Sequence, residues 1–305
     1  MCIRDRLYYT DHFVLPLPEG HRFPMSKYQM LRDEVSQYID GVLEEAPLAL
    51  LDEILLVHDS EYVNKVLQGQ LSAAEQREIG FPWSEAMVIR SRRSAGATIA
   101  ASQAAWSNGV AVNLAGGTHH SYANKGSGFC VFNDAAIAAR KMQQRFLNYY
   151  QRNIRVAIID LDVHQGNGTA SIFKDDPSVF TFSMHGEKNF PFRKEESHLD
   201  IGLRDACTDD EYLDLLDRAL KQITDTFNPE FVIYLAGADP YIGDRLGRLN
   251  LSIEGLGMRD HMVLQWCHTR KTPVAIAMAG GYGNCIEDTV AIHAQTIRKA
   301  IAFQW

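Results

Sequence analysis

Asp160, Asp162 and His164 occupy alternate positions of Asp160-Leu161-Asp162-Val163-His164, directly after the apolar run Val156-Ala157-Ile158-Ile159. Carboxylate oxygens and imidazole nitrogens are donors that suit a divalent cation such as zinc. Four apolar residues ending in two acids and a histidine read as a buried parallel strand leaving the core at its carboxyl end. Side chains alternate along a strand, so the three point the same way where the extended conformation persists. The stretch reads as half of a zinc site; the plainer alternatives are a solvated loop or a pair of capping aspartates.

Three further segments carry chemistry. Ala115-Gly116-Gly117-Thr118-His119-His120 sets paired glycines, which permit a tight turn, before two adjacent imidazoles. Histidine is the side chain best poised to exchange protons near neutral pH, although one of the two could be a structural hydrogen-bonding residue. Ala236-Gly237-Ala238-Asp239 places an acid just past the apolar run Phe231–Leu235. As a third ligand beside Asp162 and His164 it would balance the ion's charge and leave one position for water or substrate. Gly280-Gly281-Tyr282-Gly283 follows Val274–Ala279 and offers a phenol whose hydroxyl suits an oxyanion, though Gly-Tyr-Gly also suits any tight turn. Phe129, in Ser127-Gly128-Phe129-Cys130, and Phe190, in Asn189-Phe190-Pro191-Phe192, could wall a narrow apolar tube or simply fill core.

The elements that must position these groups follow from periodicity. Leu7–Thr10 and Leu55–Val57 read as short strands, and a helix after Pro24 carries an apolar stripe at Tyr28, Leu31, Val35, Tyr38, Ile39 and Val42. Ser60–Gln68 reads as a short helix with Ser60 as its N-cap, and Ser84–Ser107 as a long helix stopped by Asn108-Gly109. Strands are then expected at Val110–Leu114, Val156–Asp160, Val179–Ser183, Phe231–Leu235 and Val274–Ala279. Helices are expected at Asp134–Tyr150, Thr169–Phe173, Asp209–Phe227, Glu254–Cys267 and Glu287–Phe303. Strands alternating with helices indicate one α/β domain, a three-layer α/β/α arrangement around a mainly parallel sheet. In such sheets ligands sit beyond the carboxyl ends of the strands, where all four chemical segments fall.

With 305 residues, 46% of them hydrophobic, the chain can bury a substantial core. It has no run approaching the ~20 apolar residues of a membrane span. A formal charge of −8 argues against general nucleic-acid affinity. Cys2, Cys130, Cys207, Cys267 and Cys285 are scattered and odd in number, which argues against a disulfide framework and for a reducing cytoplasm. Residues 1–6 (MCIRDR) lack the apolar core of a signal peptide and resemble translated adaptor sequence, so the domain is expected over residues 7–305.

Together these segments resemble the zinc-dependent histone deacetylase family, with its arginase-like α/β fold. The matching motifs are GGTHH (Gly116–His120), GSGFCVFND (Gly126–Asp134), DLDVHQGNGT (Asp160–Thr169), AGAD (Ala236–Asp239) and GGYG (Gly280–Gly283). HRFPM (His21–Met25) and GDRLGRL (Gly243–Leu249) extend the match, and the details DxHQGNG and GDRLG resemble the class IV branch and its bacterial relatives. The resemblance implies one zinc ion held by Asp162, His164 and Asp239. It implies His120 as principal general base and acid, His119 beside it supplying a proton or electrostatic support, and Tyr282 as oxyanion donor. Asp160 matches the acid that orients the first histidine, and Asn167 falls where class I members place an aspartate behind the second. Gly128, Phe129, Phe190, Leu246 and Gly281 match the acyl-lysine channel, and Arg22 matches the arginine near an internal acetate pocket. Potassium is implied near Asp160 and Ser183.

The implied reaction is metal-assisted hydrolysis of an amide, freeing acetyl or longer acyl groups from lysine side chains or related amines. Protein acyl-lysine, acylated polyamines and small amides all remain open as substrates. One rival is a binuclear ureohydrolase on the same fold, but Gly166 and Tyr241 stand where its additional acids would be needed. Another is a catalytically inactive acyl-lysine binding module, which the presence of all the expected groups does not favour.

Overall fold

The computed structural model describes residues 6–39 and 43–303; Cys2 and Val42 lie outside them. Along the central strands apolar residues divide by parity between two clusters. Val156, Ile158, Phe231, Ile233 and Leu235 face one side, and Ala157, Ile159, Val232 and Tyr234 the other. Burial on both faces is what a parallel sheet between helical layers requires.

The strands are β1 (Arg6–Tyr9), β2 (Leu43–Glu45), β3 (Val110–Asn113), β4 (Val156–Asp160), β5 (Val179–Gly186), β6 (Leu199–Leu203), β7 (Phe231–Leu235) and β8 (Val274–Ala277). They form one sheet in the order β2-β1-β3-β8-β7-β4-β5-β6. Every pairing in it is parallel. In chain order the helices are α1 (Lys27–Ser36), α2 (Leu51–Ile54), α3 (Ser60–Gln68), α4 (Ala73–Ile79) and α5 (Glu85–Asn108). They continue as α6 (Asp134–Tyr150), α7 (Asn167–Phe173), α8 (Asp209–Thr226), α9 (Ile253–Thr269) and α10 (Ile286–Ala302). The alanine-rich α5 and α6 cover one face of the sheet, while α1, α8, α9 and α10 cover the other. This is the expected three-layer α/β/α domain. Among the described residues no helix is long and apolar enough to cross a membrane.

Several local expectations are corrected. Leu55–Val57 is not a strand. The Glu53 carboxylate accepts from the Leu50 amide at 2.9 Å, starting the short helix α2, and the Val57 and His58 amides then bond back to the Ile54 carbonyl. Asp59, not Ser60, holds the N-cap position of α3, with extended backbone. Helix α1 ends at Ser36, so Tyr38 and Ile39 lie beyond it. Arg6 belongs to β1, paired with Ala111, and is therefore part of the fold. Neither β2 nor β6 is expected from the sequence: one is three residues long, the other mixes Asp200 and Gly202 into an edge strand.

Candidate metal centre

Strands β3, β8, β7 and β4 are consecutive across the sheet, so the loops after their carboxyl ends meet. The β3 loop supplies His119 and His120, and its turn is close. Gly117 has φ of +70°, and a Cβ there would run into the Ala279 backbone of the β8 loop. The Asp134 carboxylate, at the start of α6, accepts from the Gly117 and Thr118 amides at 3.1 and 2.7 Å and so pins this turn.

Asp160 and Leu235 are register partners on β4 and β7, which brings the two following loops side by side. Ligand atoms of Asp162, His164 and Asp239 all lie within 4.8 Å of one another, and all three residues are buried. His164 Nδ1 is 2.9 Å from Asp162 Oδ1 and 3.2 Å from Asp239 Oδ2. Asp162 Oδ2 accepts from the Gly280 amide at 2.7 Å, and Asp239 Oδ1 from the Val163 amide at 2.9 Å. Asp239 Oδ2, by contrast, is buried and accepts no hydrogen bond. An orphaned carboxylate oxygen aimed at a second carboxylate and an imidazole fits a bound cation. The electrostatics agree. Burial opposes charge on His164, yet the flanking Asp162 and Asp239 lift its pKa to about 10, and burial with the neighbouring Asp162 pushes Asp239 up to about 7. The pair of acids draws positive charge into the site.

The two histidines of the β3 loop differ sharply. His119 Nδ1 donates to Asp160 Oδ2 at 2.7 Å. Burial depresses the pKa of His119, but Asp160 and Asp162 overcome this and raise it to about 9. His120 Nδ1 lies 2.6 Å from Asn167 Oδ1, and an amide oxygen can only accept, so the proton sits on Nδ1 and Nε2 keeps its lone pair. Burial, then the charges of His119 and His164, hold His120 well below 6.5. One imidazole is therefore protonated and its neighbour is a free base, the divergence that acid–base chemistry needs.

A narrow cavity of about 60 Å³ joins these groups; His119, His120, Gly128, Phe129, Asp162, His164 and Tyr282 all line it. Tyr282 is fixed by its backbone: its amide donates to Asp244 Oδ2 at 2.6 Å, and its carbonyl accepts from Arg245 Nε at 2.9 Å. Burial and then the Asp162 and Asp239 charges raise its phenol well above 10, so it remains a hydrogen-bond donor. The Phe190 ring meets His120 edge-on at 4.9 Å between centroids, and Asn189 Nδ2 ties this loop to the Leu246 carbonyl at 2.7 Å. The Gly281 carbonyl accepts from Lys27 Nζ at 3.3 Å.

Arg22 does not line the cavity. It is exposed, and the cations facing the interior are instead Lys27 and Arg90. A lysine beside the apolar stripe of α1 and an arginine among the small residues of α5 were the available signals for them. The sequence reading also missed Arg259. This fully buried side chain donates through Nη1 to the Leu161 and Gly237 carbonyls at 3.2 and 2.6 Å, bridging the two loops that carry the candidate ligands. Ser183 Oγ is 3.0 Å from His185 Nδ1 and Asp160 is bonded to His119, contacts that give potassium no separate support. The binuclear rival fares worse. Gly166 supplies no acid, and a Cβ there would run into Asp160 Oδ2, so a side chain at this position would have to displace the carboxylate that holds His119.

The comparisons with known proteins agree with this geometry. The histone deacetylase domain model matches residues 21–298. The chain belongs to the histone deacetylase family. It is 33% identical to histone deacetylase 2 of Arabidopsis thaliana, across 89% of this chain and 72% of that one. It is 30% identical to the acetoin utilization protein AcuC of Bacillus subtilis, across 81% and 67%. An uncharacterized Picosynechococcus protein is 45% identical across 96% of this chain and 97% of its own. The crystal structure of a histone deacetylase homologue from Aquifex aeolicus has the same fold, with a TM-score of 0.83 at 24% identity over 97% of this chain and 84% of that one. Membership of the histone deacetylase family supports hydrolytic deacetylation as the activity.

Proposed function

We propose that this histone deacetylase family member is a zinc-dependent deacylase acting on acylated lysine side chains. The observation that carries the reading is a narrow cavity lined by Asp162, His164, a neutral His120 and Tyr282, with a ligand atom of Asp239 within 4.8 Å of those of Asp162 and His164. Zinc, when bound, would supply Lewis-acid polarisation of the acyl carbonyl and acidify water. His120 Nε2 would take the proton from the attacking water, and the protonated His119 would support the charge or return a proton to the leaving amine. Tyr282 would donate to the oxygen on which negative charge develops. Phe129 and Phe190 would hold the alkyl arm of the lysine. A histone deacetylase homologue of the same fold has been crystallised in complex with SAHA; that ligand belongs to the homologue and bears on this chain only by analogy. The free thiols of Cys130, Cys207 and Cys267 fit a reducing cytoplasm.

The test is a panel of acyl-lysine peptides from acetyl to long-chain, together with acetylated polyamines, assayed before and after chelation. Turnover of an acyl-lysine peptide that is lost on chelation and restored by zinc is expected. Undiminished activity after exhaustive demetallation would overturn the zinc assignment, and turnover of polyamines alone would overturn the substrate.

A further inference from the structure

His120 stands at one end of a chain of hydrogen-bonding side chains. Its Nδ1 lies 2.6 Å from Asn167 Oδ1, Asn167 Nδ2 donates to the Tyr122 hydroxyl at 2.9 Å, and that hydroxyl donates to Glu195 Oε1 at 3.2 Å. The loop after β3 supplies His120 and Tyr122, the start of α7 supplies Asn167, and the stretch between β5 and β6 supplies Glu195. His120 and Asn167 are buried, Tyr122 and Glu195 half-buried.

Three of the four groups can serve a chain running in either direction. A hydroxyl both donates and accepts, an amide carries oxygen on one side and NH2 on the other, and a neutral imidazole holds its proton on either nitrogen. A carboxylate only accepts. Glu195 therefore commits the single hydroxyl proton of Tyr122, and the Tyr122 oxygen must accept from Asn167. The amide then turns its oxygen toward His120, Nδ1 carries the proton, and the Nε2 lone pair stays free. Run the other way, the chain would set the Tyr122 and Glu195 oxygens 3.2 Å apart with no proton between them. His120 would then carry its proton on Nε2 and have no base to offer there.

The backbone that bears Glu195 is held separately. Gln165, buried directly after His164, accepts from the Glu195 amide through Oε1 at 2.9 Å and donates to its carbonyl through Nε2 at 2.8 Å. Glu195→Gln leaves that clamp intact.

We infer that Glu195 is a positioning residue whose acceptor-only carboxylate fixes, through Tyr122 and Asn167, the imidazole tautomer in which His120 serves as base. The inference rests on the proposed deacylase reading and extends its machinery to an acid outside the cavity.

Glu195→Gln makes the end group able to donate or accept, and Tyr122→Phe removes the relay. These two variants, their double variant and the wild type are compared as zinc-loaded proteins. The kcat and KM for an acetyl-lysine peptide are measured, and long-range proton–nitrogen correlation spectra identify which nitrogen of His120 is protonated. Each single substitution should lower kcat about three- to tenfold with KM unchanged, a part of the roughly 10²–10⁴-fold that a positioned acid–base group contributes. The double variant should be no slower than Tyr122→Phe alone, because a chain already broken cannot be broken again. The wild type should hold the proton on Nδ1 alone, and both single variants should show an added Nε2–H form. Losses in kcat that multiply in the double variant, a rise in KM with kcat unchanged, or an Nδ1–H imidazole in every protein would overturn the inference. If the wild type hydrolyses no acyl-lysine peptide, the deacylase reading fails, and the tautomer spectra alone decide the relay.

Discussion

His120 and Asn167 meet through a 2.6 Å hydrogen bond between Nδ1 and Oδ1, a neutral acceptor where Asp160 gives His119 a charged one at 2.7 Å. The difference in acceptor charge accompanies opposite displacements: burial with nearby cations lowers His120, while two carboxylates raise His119. Asn167→Asp puts a negative charge on the same atom and raises the pKa of His120. A general base works only when deprotonated, so the acidic limb of the kcat/KM profile should move to higher pH. An acidic limb that stays in place would show that His120 is not the base.

Tyr282 lines the cavity with His164, their ring centroids 6.4 Å apart. Removing one positioned donor costs about 2.7–4 kcal/mol of barrier, so Tyr282→Phe should lower kcat by roughly 10²–10³-fold with little change in folding. Near-full turnover would remove Tyr282 from the chemistry.

Arg259 ties Leu161 O to Gly237 O, two carbonyls immediately upstream of the ligand loops, while its own charge is balanced by Asp260 at 2.8 Å. Arg259→Met leaves Asp260 buried without its cation and releases both loops. Loss of such a partner from a buried pair typically costs about 3–5 kcal/mol. Both thermal stability and zinc affinity, read by competition with a chromogenic chelator, should fall. Unaltered zinc affinity in a destabilised variant would limit Arg259 to a packing role.

Gly280 lies against the centre more closely than any side chain could. A Cβ there would overlap the Asp239 carboxylate and crowd that of Asp162 at 2.6 Å. Gly280→Ala must therefore move the acids that the metal reading depends on. Zinc binding by calorimetry should weaken at least about tenfold, by the measure of disturbed neighbours of metal ligands, while the far-ultraviolet spectrum stays native. Wild-type affinity would dissociate these carboxylates from the ion.

Much of this was legible because the relevant patterns are short. An apolar run ending in acids marks β4, and α6 begins and ends where its 3.6-residue periodicity does. The chemical loops were legible as segments, but their meeting was not. Their chain order, β3, β4, β7, β8, differs from their spatial order, β3-β8-β7-β4, which depends on pairing between strands far apart in sequence. Arg22 was misplaced for a related reason. Its motif fixes the neighbourhood but not which cation turns inward, and the one that does, Lys27, is fixed by carbonyls of the β8 loop some 250 residues later. Arg259 was invisible because an arginine within a helix reads as surface until packing buries it.

His58 makes stability depend on pH independently of the catalytic groups. It is buried, and its Nε2 accepts from the Asn133 amide at 2.9 Å, the residue that caps α6, so it must stay neutral in the folded chain. Burial lowers its pKa from 6.5 to about 4. The unfolded chain takes up this proton below about pH 6.5 while the folded chain does not, so stability present at neutral pH is lost as pH falls toward 4. A displacement of that size corresponds to about 3 kcal/mol. Urea unfolding of the metal-free protein at intervals between pH 7 and pH 4 should show this slope, and His58→Gln, which retains an acceptor, should flatten it by that amount. Parallel slopes in the two proteins would mean that His58 is protonated in the folded state, and that the Asn133 amide finds another acceptor.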